Sequence, residues 1–286
     1  MSEVLFDQAA GLRKLLARNA SRTIAIASAQ TRSGRSLISA NLAVALARLG
    51  QQVLLLDCGA GRDSASWLLS AEPAADLLDA CTGRYRGDSL AVEGCAGVHV
   101  VQAHAAFQAL PKMSPVQATR LAGLLRQLIA APAVVLIDAA MGDLVSAAAA
   151  HELIFLVSPG DRAMTESYRF LKRLHAHCGP RRVHVVINRA QSPAHADKIF
   201  GNLSSTSRRF LNLPLERMSH IPDDDRLVRA ARMRQPVVEV FPQSDAALAL
   251  RDCADILLGW PESGVDGAGE FADRLMQTAR LVGIGQ

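Results

Sequence analysis

Long apolar runs are missing from this chain of 286 residues. No stretch reaches the roughly 18 consecutive apolar residues that a membrane-spanning helix needs, so an integral helical membrane protein is not expected. An apolar N-terminal segment of the kind that directs export is also missing, and a cytoplasmic location is expected. The five cysteines (Cys58, Cys81, Cys95, Cys178 and Cys253) show no C-x-x-C or other metal-ligand spacing. They are expected as reduced thiols in the core or near the surface. A large charge of one sign is lacking as well: the formal net charge is +4. That surplus suits an ordinary solvated surface, and no direct nucleic-acid partner is expected from it.

Apolar residues make up 50% of the chain, enough for a sizeable core. Strand-like runs of β-branched and aliphatic residues fall at 23–27, 53–57, 98–102, 134–138, 153–157, 183–188 and 215–219. Helical patterns lie between them, at 36–49, 115–130, 164–177, 194–211, 224–232 and 245–258. Repeated strand–helix–strand order predicts an α/β fold, a mainly parallel sheet with helices on both faces, because right-handed crossovers leave few other connections. The near-continuous apolar runs "VVLID" and "LIFLV" agree, since buried parallel strands need not alternate. The expected division is a short N-terminal segment (1–21), one α/β domain (22–261), and a glycine-rich linker with a last helix (262–286).

Ligands of such sheets bind beyond the carboxyl ends of the strands, which here follow Ala27, Asp57, Asp138 and Asn188. After the first strand stands "SAQTRSGRSLIS". The phosphate-loop pattern G-x-x-x-x-G-K-[ST] works because its glycines let backbone N–H groups close around phosphate, its lysine reaches the β- and γ-phosphates, and its hydroxyl holds magnesium. In this register the chain offers Ala29, then Gly34, Arg35 and Ser36. The frame is kept; the first glycine and the lysine are not. Ser36 can still ligate magnesium, and the helix it begins would still attract an anion. Arg35 keeps the charge but not the compact shape of an ammonium. Taken alone, the loop fits an ordinary strand-to-helix turn as well as it fits a phosphate site.

The order of features resembles the MinD/ParA family of dimerising P-loop ATPases. "NLAVALARLGQQVLLLD", ending at Asp57, is similar to the helix and second strand that follow the family's loop. "VVLID", ending at Asp138, is similar to its Walker B strand, and "VINRA" puts Asn188 where members read the adenine base. Within that family the likeness is strongest to the FlhG/FleN group of flagellar-number regulators, carried by "DQAAGLR" near the N-terminus and by "SHIPDDDRLVRAARMRQPVVEVFPQS". The resemblance implies ATP or ADP with magnesium at Gly34, Arg35, Ser36, Asp57, Asp138 and Asn188, the metal held by Ser36 and Asp138. It also implies partners: an FlhF-type GTPase, a flagellar master transcription activator and the flagellar switch complex, with peripheral contact at the inner face of the cell membrane.

Departures from the family pattern cluster on one site. Gln30 stands for the signature lysine that crosses a dimer, Thr31 and Arg32 for two glycines, Gly59 for the second aspartate of a D-A-D strand end, and Ala139 for a switch hydroxyl. The expectation is therefore a pseudo-ATPase that binds nucleotide weakly or not at all. The alternative is an active MinD/ParA-like ATPase that cycles on a membrane or positions another cargo. The N-terminal segment needs nothing from that site. Resemblance implies that Asp7, Gln8, Leu12 and Arg13 bind and stimulate the partner GTPase, with Gln8 orienting its attacking water. Leu5, Leu12, Leu15 and Leu16 form an apolar docking stripe at helical spacing for that partner, the alternative being a helix that packs on the chain's own domain. In the last helix, Phe271, Leu275, Met276, Leu281 and Val282 make a second stripe beside Arg274 and Arg280, suited to lipid or to the chain's own sheet.

Overall fold

The computed structural model describes residues 21–61, 64–179, 181–261 and 268–284. The expectations for Asp7, Gln8, Leu12 and Arg13, and most of the glycine-rich stretch, lie outside the described residues.

The strands are β1 (Arg22–Ala27), β2 (Val53–Asp57), β3 (Val92–Glu93), β4 (His99–Gln102), β5 (Val134–Asp138), β6 (Glu152–Val157), β7 (His184–Ala190) and β8 (Glu216–Pro222). They form one sheet in the order β3-β4-β2-β5-β1-β6-β7-β8. Every pairing is parallel except that of the two-residue edge strand β3 with β4. The expected α/β class is therefore what the chain adopts. The longer helices are α1 (Arg35–Arg48), α2 (Pro115–Ile129), α3 (Asp161–Cys178), α4 (Pro193–Leu211), α5 (Asp225–Arg232), α6 (Asp245–Leu258) and α7 (Ala268–Ile284). Edge strand β3 and several short helices, among them Ala65–Leu68 and Leu144–Ala149, carry too few residues to show a period in the sequence.

Alternation along the strands divides the core between two faces. In β1, Ile24 and Ile26 pack with the α1 and α6 layer, while Ala25 and Ala27 face the layer of α2, α3 and α7. Both sets are fully buried, as expected of a central parallel strand. Opposite the functional edge, the strand starts are tied down by polar contacts. His184 stacks on Trp260 at 3.8 Å and lies 3.3 Å from Glu152 and 3.4 Å from Glu216. Arg22 donates to the carbonyls of Leu257 and Trp260 at the end of α6.

Helix α7 takes one of the two alternatives expected for its stripe, packing on the chain's own domain. Its stripe residues Phe271 (2% exposed) and Leu275 (0%) are buried against the chain itself, with Val282 also covered. The helix packs on α2 and on Leu144–Ala149, fixed by an Arg126–Asp273 ion pair at 2.5 Å and by Arg274 Nε donating to Ala149 O at 2.8 Å. Most of the stripe and Arg274 thus pack on the domain's own surface, and Leu281 alone among the five expected residues is largely exposed. No helix among the described residues is long and apolar enough to cross a membrane. Leu275→Ala is expected to cost about 2–5 kcal/mol in chemical denaturation, while Leu281→Ala stays within about 0.5 kcal/mol of the parent.

Candidate functional site

Parallel pairing brings the expected strand ends together. Asp57 and Asp138 are register partners on β2 and β5, and Ile26 of β1 is the partner of Asp138 on the other side. Residues 28–34 leave β1 at this edge and enter α1. Gly34 caps that helix with φ 79° and no side-chain hydrogen bond. The first N–H groups of α1 are therefore without a side-chain acceptor at the cap, the arrangement that favours an anion.

The loop is held from β7. Asn188 Nδ2 donates to Ser33 O at 2.7 Å. A Cβ on Gly34 would lie 2.7 Å from the same Nδ2, so glycine is required here by contact as well as by φ. The other amide atom, Asn188 Oδ1, is buried with no hydrogen-bond partner, on a residue 2% exposed. Arg189 follows in the left-handed region at φ 61°, which brings its Nη2 to 4.0 Å from that same Cβ position. Arg32, at φ 55°, adopts a conformation that costs a side-chain-bearing residue about 1–2 kcal/mol and a glycine nothing. Gln30 turns inward. Its Oε1 accepts from the Ser158 N–H (3.3 Å) and its Nε2 donates to Ser167 Oγ (3.4 Å), leaving the residue 7% exposed.

Asp138 is the centre of the polar network. Arg35 Nε donates to Oδ1 at 2.7 Å, Ser39 Oγ to the same oxygen at 3.0 Å, and Ser36 Oγ to Oδ2 at 2.6 Å. Burial alone would lower the Arg35 pKa, but the Asp138 charge and hydrogen bond outweigh it and the net shift is upward. Asp57, fully buried, accepts from the Gly59 N–H (2.8 Å), the Ser66 N–H (2.7 Å) and Ser66 Oγ (2.5 Å). Burial and then the neighbouring Asp138 charge push its carboxyl above the usual range. Asp143 caps Leu144–Ala149 by accepting from the Val145 and Ser146 N–H groups, and burial raises it too. Gly59 is locked by Gln102, whose Nε2 donates to Gly59 O at 2.8 Å, and a Cβ at position 59 would come within 2.9 Å of Asp57 Oδ1. Ala139 is fully buried.

All six expected cofactor positions thus meet at one edge. Comparison with known proteins agrees with that geometry: a model of the CobQ/CobB/MinD/ParA nucleotide binding domain matches residues 24–237. The chain belongs to the MinD/ParA nucleotide-binding family. The antiactivator FleN of Pseudomonas aeruginosa is 31% identical over 84% of this chain and 87% of its own, which places the chain with FlhG/FleN-type regulators of that family. Among solved structures, the MinD cell division protein of Aquifex aeolicus superposes with a TM-score of 0.65 at 20% identity, over 84% of this chain and 98% of that one. MinD of Pyrococcus horikoshii, solved with Mg-ADP, gives 0.62 at 19% over 83% and 96%. These two show the shared fold.

Ser39, Ser66, Gln102, Asp143 and Arg189 also belong to the site, though the family pattern did not single them out. Ser39 was legible in part, since a hydroxyl one turn beyond Ser36 on a helix faces the same way. Asp143 and Ser146 form a D-x-x-S helix start. Ser66, Gln102 and Arg189 carried no local signal.

The residues fit the two halves of a magnesium nucleotide unequally. The uncapped α1 terminus, Gly34 and the orphaned Asn188 Oδ1 suit phosphates and a base. For the metal the donors Ser36 and Asp138 are in place, but both are already engaged with each other, and a cationic guanidinium lies against the carboxylate. Magnesium does not fit this arrangement. Asp138→Asn is expected to cost about 3–5 kcal/mol in denaturant titration by leaving Arg35 unpaired. Gly59→Asp, which restores a family carboxylate, is expected to lower stability by about 1–3 kcal/mol through overpacking against Asp57.

Proposed function

We propose that the chain is an FlhG/FleN-type regulator of flagellar number, placement and gene expression that works through protein partners, its own nucleotide site having lost hydrolysis. The observation that carries this reading is the pairing of Arg35 with Asp138. The group that should reach forward to phosphate is turned back onto the Walker B carboxylate. Gln30, in the register of the dimer-crossing lysine, is likewise committed to Ser158 and Ser167. Phosphoryl transfer depends on positioned charge, and removing one preorganised donor costs about 2.7–4 kcal/mol of transition-state stabilisation. Several such losses on one site, even when not additive, leave little turnover.

Similarity to the antiactivator FleN supports a master transcription activator as one partner, and the flagellar switch complex is a further candidate of the same reading. The match of "DQAAGLR" supports an FlhF-type GTPase as another. On that GTPase, Gln8 orients the attacking water, Leu12 supplies apolar contact, and Asp7 and Arg13 flank them. A glutamine in that role acts mainly in the transition state, whereas a leucine in the interface contributes to binding throughout.

Purified chain with ATP and magnesium is expected to release phosphate at the background rate, and Arg35→Lys alone to leave that rate unchanged. Robust turnover by the unmodified chain would instead select the reading as an active ATPase. A peptide of about the first 20 residues, long enough for several helical turns, is expected to accelerate GTP hydrolysis by the FlhF-type partner. In the same titration Gln8→Ala lowers maximal stimulation and Leu12→Asp raises the concentration needed. Unchanged maximal stimulation by Gln8→Ala would remove Gln8 from the mechanism.

A further inference from the structure

A divalent cation in a phosphate loop neutralises the strand-end carboxylates, joins the loop hydroxyl to the Walker B aspartate, and offsets the charge of the phosphates. Each of these roles already has an occupant in this chain. The Arg35 guanidinium sits on Asp138 with Nε 2.7 Å from Oδ1, and it interacts with the Asp57 charge as well. Its Nη2 reaches within 3.4 Å of Ser36 Oγ, which itself bonds Asp138 at 2.6 Å. The pair is shielded from water, with side-chain exposures of 12% and 0%, so its charges are weakly screened. Phosphate charge can be met by Arg189, whose Nη2 overhangs Gly34, and by Arg32 at the exposed tip of the loop. Arginine suits this work because its fork binds carboxylate or phosphate oxygens and stays charged at every relevant pH.

We propose that Arg35 permanently replaces the divalent cation, so that this site binds a nucleoside diphosphate without metal. A cation entering beside Ser36 and Asp138 would face a fixed guanidinium in a poorly hydrated pocket, and it would have to displace that group from its carboxylate. The nucleotide needs no such exchange. Its phosphates meet the open N-terminus of α1, Arg32 of the loop and Arg189 of β7, and its base meets Asn188 Oδ1, a buried acceptor that lacks a donor. The inference rests on the reading of the site as hydrolytically silent, and it leaves that site the role of a metal-independent nucleotide sensor inside a regulator.

The test is equilibrium titration of the full chain with a fluorescent N-methylanthraniloyl ADP, in magnesium chloride and again in EDTA at matched ionic strength. The dissociation constants are expected to agree within about twofold, whereas Arg35→Ala, which removes the cation from the carboxylate, is expected to bind about tenfold more weakly in EDTA than in magnesium. Manganese paramagnetic resonance gives a second readout: the free-ion signal should persist with the parent chain and ADP, and fall with Arg35→Ala. Should that variant fail to fold, as judged by its thermal melt, the parent chain's own magnesium and EDTA titrations still decide. A tenfold loss of parent affinity in EDTA overturns the proposal, and so does absence of binding in both buffers. Neither outcome touches the regulator reading, which fails on ATP turnover instead.

Discussion

The ion pair between Arg35 and Asp138 organises the functional edge of this molecule. It joins the first turn of α1 to the end of β5, and through Ser36 and Ser39 it engages both carboxylate oxygens. Desolvating two charges offsets much of their attraction, so the pair is a weak source of net stability but a strong constraint on arrangement. With Arg35 in place, Asp57 and Asp138 can end adjacent strands side by side. Without it, two buried carboxylates in register would repel each other, and burial together with the Asp138 charge already raises the Asp57 pKa.

Around this pair, the loop has exchanged freedom for fixed contacts. Left-handed turns cost little in a phosphate loop rich in glycine, whereas here Arg32 holds such a turn with a full side chain. The compensating contacts come from elsewhere in the fold: Asn188 clamps Ser33, and Ser158 with Ser167 absorbs Gln30. A loop held this way retains the shape of an anion site while giving up the mobile lysines that act on a bound triphosphate or on a second subunit.

The final helix follows the same logic of groups turned inward. A stripe of Phe271, Leu275 and Val282 beside arginines has the composition of a lipid-binding helix, and hydrophobicity alone does not say which apolar surface it meets. The faces of α2 and Leu144–Ala149 offer that surface, and the Arg126–Asp273 pair and the Arg274 bond to Ala149 O fix the helix there.

Much of the fold was legible because its signals are local. The apolar run "VVLID" and the helix "NLAVALARLG" show their type within one element, and strand–helix alternation then leaves one class of sheet. The arrival of Asp57, Asp138 and Asn188 at strand ends, and of Gly34, Arg35 and Ser36 at the helix start that follows the first strand, was legible too, since parallel strands deliver all their carboxyl ends to one edge. Direction was not legible. Whether Arg35 reaches toward phosphate or back to Asp138 depends on a carboxylate 103 residues away, and whether Gln30 crosses a subunit interface or turns inward depends on Ser158 and Ser167. The same limit hid Ser66 and Gln102, which have no motif and join the site only by lying against Asp57 and Gly59. Residue type and order determined which elements form and which groups arrive at the edge. Tertiary packing decided what those groups face, because hydrogen bonds and charges in a dry site act over a few ångströms and only the folded chain sets those distances.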